Sequence, residues 1–162
     1  MKKIVLALVS LLVITVPSFA LGPVPITLYG GSQAGMGTGS IVGANVMLSL
    51  PFLPSVGIEC DTVNGSVHAP SAVNFTVSRI GLVYKMNLML LGLNISAGTV
   101  NLNTSGPIDI GGITISGNQS GSYIGIGPEI ELMGFVINPK ATYNTFTAGS
   151  LPEVDITVGY RF

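Results

Sequence analysis

His68 is the only histidine in the chain, so general-base chemistry would have to start from it. Ser66 and Ser71 flank it, and Glu59 and Asp61 stand a short way before it. Those are the residue types of a hydrolytic site, in which a base orients a nucleophile and a carboxylate orients the base. The spacing names neither a positioned base nor an oxyanion site, and the residues favour a solvated loop histidine. Cys60 is likewise alone and reads as a small hydrophobe, buried or facing lipid, rather than a reactive thiol. One His and one Cys on separate segments cannot build a metal centre, and no cofactor is expected. The glycines of Gly30–Gly43 lack the Lys-Ser/Thr and following helix of a phosphate loop, and suit a tight turn instead.

The remaining chemistry is charge. Charged residues make up 8% of the chain, where about 25% is usual. The basic residues after the leader are Arg79, Lys85, Lys140 and Arg161, too few and too scattered for nucleic acid. A chain this poor in charge cannot cover itself with a water-facing surface, but it can if much of that surface faces lipid. No segment after the leader is long enough for a membrane helix, and a closed barrel is the other way to satisfy every backbone group in a bilayer. The leader is residues 1–20: Lys2 and Lys3, an apolar run from Ile4 to Val16, then Pro17-Ser18-Phe19-Ala20 with cleavage expected after Ala20. Residues 21–162 then form one domain.

The last ten residues show how that domain is built. Val154, Ile156, Val158, Tyr160 and Phe162 share one strand face; Asp155, Thr157, Gly159 and Arg161 share the other. A lipid face, a lumen face and terminal aromatics at the membrane boundary describe the closing strand of an outer-membrane barrel. Eight segments of spanning length are predicted: Val24–Ala34, Ser40–Leu50, Ser55–Asn64, Ala72–Lys85, Leu90–Leu102, Ser122–Leu132, Phe135–Phe146 and Val154–Phe162. The fourth breaks phase, since Val73, Phe75 and Val77 have one parity and Ile80, Leu82 and Tyr84 the other. This predicts a β-bulge at Ser78–Arg79. A similar slip is predicted between Ala97 and Val100.

The connections after the second, fourth and sixth segments are brief, and those after the third, fifth and seventh read as longer and polar. That asymmetry puts the brief ones, and both termini, in the periplasm. The longest connection, residues 103–119, holds Ile108-Asp109-Ile110 and Ile113-Thr114-Ile115 around Gly111-Gly112, which predicts a two-stranded flap projecting outward. Alternation points Glu59, Asp61, Arg79, Lys85, Glu129, Glu131, Lys140, Asp155 and Arg161 into the lumen. A turn about Val67–Ala69 would set Glu59 nearly opposite Arg79, and Lys140 would reach Glu129 diagonally. Opposite charges at mid-height plug an eight-stranded barrel, whose interior side chains can fill. A turn at Met133–Gly134 also sets Pro128 opposite Pro139, both facing lipid and neither able to donate to the ladder.

Across the whole mature chain these features resemble the small eight-stranded outer-membrane proteins typified by OmpX, the OmpA barrel and OmpW. The resemblance implies an all-β, antiparallel up-and-down transmembrane barrel in the outer membrane of a Gram-negative bacterium. It implies outer-membrane lipid and the barrel-assembly machinery as partners, with Tyr160 and Phe162 as the assembly signal. Members of that class include lipid A-modifying enzymes, but the deacylase's His-x-Ser motif is absent at His68-Ala69-Pro70-Ser71. The opposed Pro128 and Pro139 resemble the lateral lipid entry of the palmitoyltransferase PagP, whose catalytic histidine has no counterpart on the first external turn here. The leading reading is a monomeric, non-enzymatic barrel with an ion-paired plug, structural or adhesive through residues 103–119. The alternatives are a lipid A-modifying enzyme or lateral hydrophobic carrier, and a narrow pore.

Overall fold

The alternation of side chains sets the architecture, because strands built on a period of two bury one face and leave the other outside. The computed structural model describes residues 24–49, 54–68, 72–88, 91–110 and 112–162, with the backbone alone at 68 and 88. The expected signal peptide, the turn at Pro51 and Gly111 lie outside those residues. Among the described residues ten strands are present: β1 (Ile26–Ala34), β2 (Thr38–Leu48), β3 (Ser55–His68), β4 (Ala72–Leu88), β5 (Leu91–Thr104), β6 (Ile108–Ile110), β7 (Ile113–Ile115), β8 (Asn118–Leu132), β9 (Phe135–Phe146) and β10 (Gly149–Arg161). Eight of them close an antiparallel barrel in the order β1-β10-β9-β8-β5-β4-β3-β2, and β6 and β7 form a separate hairpin between β5 and β8. Leu28 opposite Tyr160 closes the wall, and Ile26 and Phe162 exchange backbone hydrogen bonds at its edge. The barrel thus has a terminal end, where β1 starts and β10 stops, and a flap end.

No bulge forms at Ser78–Arg79. β4 runs in unbroken register against β3, with Ser78 opposite Thr62, Arg79 opposite Asp61 and Ile80 opposite Cys60. It is equally regular against β5, where Ala97 faces Leu82 and Val100 faces Arg79, so the slip predicted there is absent too. Parity is kept and polarity inverts. On β4, Val73, Phe75, Val77, Arg79, Val83 and Lys85 are all buried inside, while Asn74, Thr76 and Ser78 face out above Ile80, Leu82 and Tyr84. The flap half of the barrel therefore has an apolar interior and a polar exterior, and the terminal half has the reverse.

This inversion lengthens the strands and shortens the loops. β3, β5, β8 and β10 extend at the flap end beyond the predicted spans, leaving 69–71 and 147–148 as short connections where longer polar loops were expected. The long connection is 103–119, and its hairpin does not project. Ile108 and Ile115 are 2% and 0% exposed and belong to the apolar core with Val77, Leu102 and Phe146, so the flap folds over the barrel mouth. Ile113 rests on Gly149, where any Cβ would come within 2.8 Å of the isoleucine Cδ1. Hydrophobic burial of two isoleucines, about 2 kcal/mol each, outweighs the hydration that a projecting hairpin would keep.

The outer wall of the terminal half carries Val56, Ile58, Leu82, Ile126 and Ile156, all exposed as a lipid-facing band must be. At its lower edge Phe135 and Tyr160 meet edge to face at 5.3 Å, and Tyr160 and Phe162 at 5.0 Å. This is the aromatic girdle that the closing strand predicts. Cys60 is exposed on the same wall, between Ala44 and Ile80.

Candidate functional site

The lumen is where the charged residues converge. Asp61 on β3 stands opposite Arg79 on β4, and the Arg79 Nε–H donates to Asp61 Oδ1 at 2.7 Å. The same guanidinium reaches across the barrel to β10, with Nη1 at 3.2 Å from both Glu153 Oε2 and Asp155 Oδ2. All four side chains are 0% exposed. Arg79 therefore joins neighbouring and distant walls through charge-assisted bonds, the arrangement that offsets desolvation of a guanidinium. The Thr142 hydroxyl donates to Asp155 Oδ2 at 3.1 Å.

Glu59 does not pair with Arg79. The β3–β4 connection falls at residues 69–71 rather than about Val67–Ala69, and Glu59 faces Gly81 instead. Its carboxylate accepts from Lys140 Nζ at 3.1 Å and from the Tyr123 hydroxyl at 3.0 Å. Tyr123 has room to donate because Gly81 has no side chain; a Cβ there would lie 2.5 Å from the phenol oxygen. Tyr29 similarly lies across Gly43, where a Cβ would be 2.6 Å from the ring. Lys140 therefore crosses to β3 rather than reaching Glu129.

Glu129 belongs to a second cluster nearer the terminal end. It accepts from Lys85, from Arg161 at 2.8 Å and from Asn94 at 2.7 Å, and Lys85 and Arg161 also engage Glu131. Glu131 is 40% exposed, so this cluster meets water at the mouth. Between the clusters lies a polar cavity of about 20 Å³, bounded by Tyr29, Asn45, Glu59, Glu129 and Lys140, room for one water molecule. The two clusters differ in balance. Glu59, Asp61, Glu153 and Asp155 surround Arg79 and Lys140, an excess of carboxylate; Glu129 and Glu131 are matched by Lys85 and Arg161.

Sequence reasoning misses Glu153, because an eighth segment that starts at Val154 leaves its parity with Asp155 unread. It also misses Tyr123, Tyr29 and Asn94, whose inward parity is legible but whose partners lie across the lumen. His68 pairs by backbone with Ala72 at the end of β3, and its side chain lies outside the description. Pro128 and Pro139 fall opposite each other and on the outer face, and the β8–β9 ladder is interrupted between Ile126–Ala141 and Ile130–Ile137. Among the described residues no group of three or more His, Cys, Asp or Glu is placed to hold a metal ion.

No protein-family model matches the chain, and a search of curated proteins finds no relative by sequence. Solved structures do match it. A major outer membrane protein from Thermus thermophilus aligns with TM-score 0.70 at 12% identity, over 87% of this chain and 100% of that one. The N-terminal β-barrel domain of Pseudomonas aeruginosa OprF aligns with TM-score 0.59 at 14% identity, over 87% and 99%. Ail, the attachment invasion locus protein of Yersinia pestis, aligns with TM-score 0.56 at 13% identity, over 86% and 97%; it has also been solved with the heparin analogue sucrose octasulfate. At these identities the likeness concerns architecture, and it agrees with the strand count, the closure and the lipid-facing band. The chain has the fold of the small eight-stranded outer-membrane β-barrels.

Proposed function

We propose that this protein is an integral outer-membrane barrel with a sealed, non-conducting lumen, and that its work is structural or adhesive at the flap end. The observation that carries this reading is the double filling of the interior. A fully buried ion-paired belt around Arg79 lies under a core of packed aliphatic and aromatic side chains, and the flap closes over both. A conducting eight-stranded barrel would need both layers to move. Recording in planar bilayers tests it: the baseline should stay flat, and stable conductance steps would support the narrow pore instead.

Both termini are proposed to lie in the periplasm, with the flap outside. Replacing Cys60 by Ser and placing a cysteine at Asp109 gives a reporter on the flap. An impermeant maleimide should label it in intact cells, and labelling only after lysis would reverse the orientation. The flap presents β6 and β7 with no barrel strand paired to either, so an extended segment of an external protein could add to one edge. Deleting residues 108–115 should then abolish partner binding while leaving membrane insertion intact.

Ail was solved with a polyanion, but that ligand does not transfer by analogy. The lysines and arginines described here are inside the barrel or at its terminal mouth, and none stands on the flap-end surface. The rival reading, a lipid-modifying enzyme or lateral carrier, has one observation in its favour: the ladder gap at Pro128 and Pro139. It also needs an acyl chamber in the flap half, where Val63, Val77, Val100 and Ile115 are completely buried against one another. Hydrogen exchange in lipid distinguishes the two, because a working seam would leave the amides of 124–127 and 140–143 unprotected.

A further inference from the structure

Every Asp, Glu, Lys and Arg beyond the first three residues faces the lumen or its mouth, with Asp109 on the flap as the exception. The outer wall of the flap half is therefore polar yet uncharged. On adjoining strands it reads Thr62, Asn64 and Ser66; Asn74, Thr76 and Ser78; Thr99, Asn101 and Asn103; Asn118, Ser120 and Ser122. The rows match across the ladders, since Thr62 faces Ser78, Ser78 faces Asn101 and Asn101 faces Ser120. The edge of the collar then steps down by one row between β4 and β5, where Thr99 faces Ile80 and Ser122 faces Thr99, and Cys60, Ile80 and Ala97 begin the apolar wall. A surface made for bulk water is roughly a quarter to a third charged. This one is a collar of hydroxyls and amides joined without a break to the lipid-facing band.

We propose that the collar is a contact surface for uncharged saccharide headgroups of glycolipids in the surrounding leaflet. Three observations carry it, together with the reading that the barrel is embedded in a membrane. The first is charge: an anionic lipid phosphate is recognised by Lys or Arg, and the collar offers neither. The second is height. Three outward rows span four residue steps of about 3.3 Å and, at a tilt of about 40°, rise about 10 Å. A phospholipid headgroup zone is only about 6 Å deep per leaflet, so the upper rows need a thicker polar layer. The third is orientation. The Thr76 hydroxyl donates to Asn64 Oδ1 at 3.0 Å, and the Ser120 hydroxyl donates to Asn101 Oδ1 at 2.7 Å. Each amide is held by its oxygen, which leaves its NH₂ donors free for sugar oxygens.

The test uses the full mature chain refolded into vesicles of phosphatidylcholine alone, with an added uncharged glycosyl diacylglycerol, or with added phosphatidylglycerol and Mg²⁺. Flotation comes first: failure to float with any vesicle would refute the membrane reading itself. For protein that floats, the thermal midpoint should rise by several degrees with the glycolipid, and chelating Mg²⁺ should change nothing. An equal or larger rise with phosphatidylglycerol and Mg²⁺, or no rise with glycolipid, would overturn the proposal. The double variant Asn64→Ala, Asn101→Ala should lose the glycolipid rise and keep the midpoint in phosphatidylcholine. If its midpoint instead falls equally in all three vesicles, the collar serves folding alone and the proposal fails.

Discussion

The two halves of this barrel are built from the same strands with their faces exchanged. In the terminal half Ile80, Leu82 and Tyr84 face out and Lys85 faces in; in the flap half Asn74 and Thr76 face out and Phe75 and Val77 face in. The backbone does not register the change, because the ladder is continuous through it. Solvent decides the pattern. Lipid around the terminal half excludes polar side chains from the wall and collects them inside, where they must pair. A polar layer around the flap half releases that constraint, and the interior reverts to the hydrophobic core of an ordinary soluble β-barrel.

Removing the central cation should harm the molecule most. Arg79→Met leaves Asp61, Glu153 and Asp155 buried without their shared partner and is expected to cost about 3–5 kcal/mol in denaturant unfolding from vesicles. Adding Glu153→Gln should return part of that loss, because the cluster already has more carboxylates than cations. In the other half, Ile115→Ala deletes a fully buried side chain that bolts the flap, at about 3 kcal/mol. Limited proteolysis gives its signature, with early cleavage inside 103–119 while the barrel stays intact; equal resistance of both proteins would show that the flap is held elsewhere.

The open cluster at the terminal mouth should matter less than the sealed one. Lys85→Met is expected to cost about 1–2 kcal/mol, because Arg161 and Asn94 still hold the buried Glu129, and high salt should shrink the difference, since Glu131 is partly in water. A salt-insensitive loss as large as that of Arg79→Met would abolish the distinction between the two clusters. The smallest effect should come from the turn at Met133–Gly134. Met133 holds φ of 52° and Gly134 of 84°, the left-handed pair of a two-residue hairpin. Met133→Asn should stabilise by on the order of 1 kcal/mol, measured as a raised unfolding midpoint.

Sequence alternation reveals the eight walls and the lumen charges because a period of two is a local property. It fails where the meaning of a face depends on height in the membrane. Val73 to Val77 and Ile80 to Tyr84 look out of phase only if apolar always means outside. Pairings follow the same division. Asp61 with Arg79 needs only a turn placed slightly later along the chain, whereas Arg79 with Glu153 and Lys140 with Glu59 cross the lumen, and no local pattern reports distance across a barrel. The opposed prolines are legible because one two-residue turn fixes their register.

The closure of β1 on β10 has a consequence for how the chain is made. Every other seam of the wall joins strands that follow one another along the chain, apart from the flap inserted at one of them. Until β10 arrives, the protein is an open ribbon with two unmatched selvedges, each a row of backbone donors and acceptors that another copy could take up. The clasp that removes both edges is the last barrel strand to be made. A barrel lacking β10 would be more than a less stable wall: it would be an adhesive strip, and cells that make this protein have reason to check that strand before committing the barrel to a bilayer.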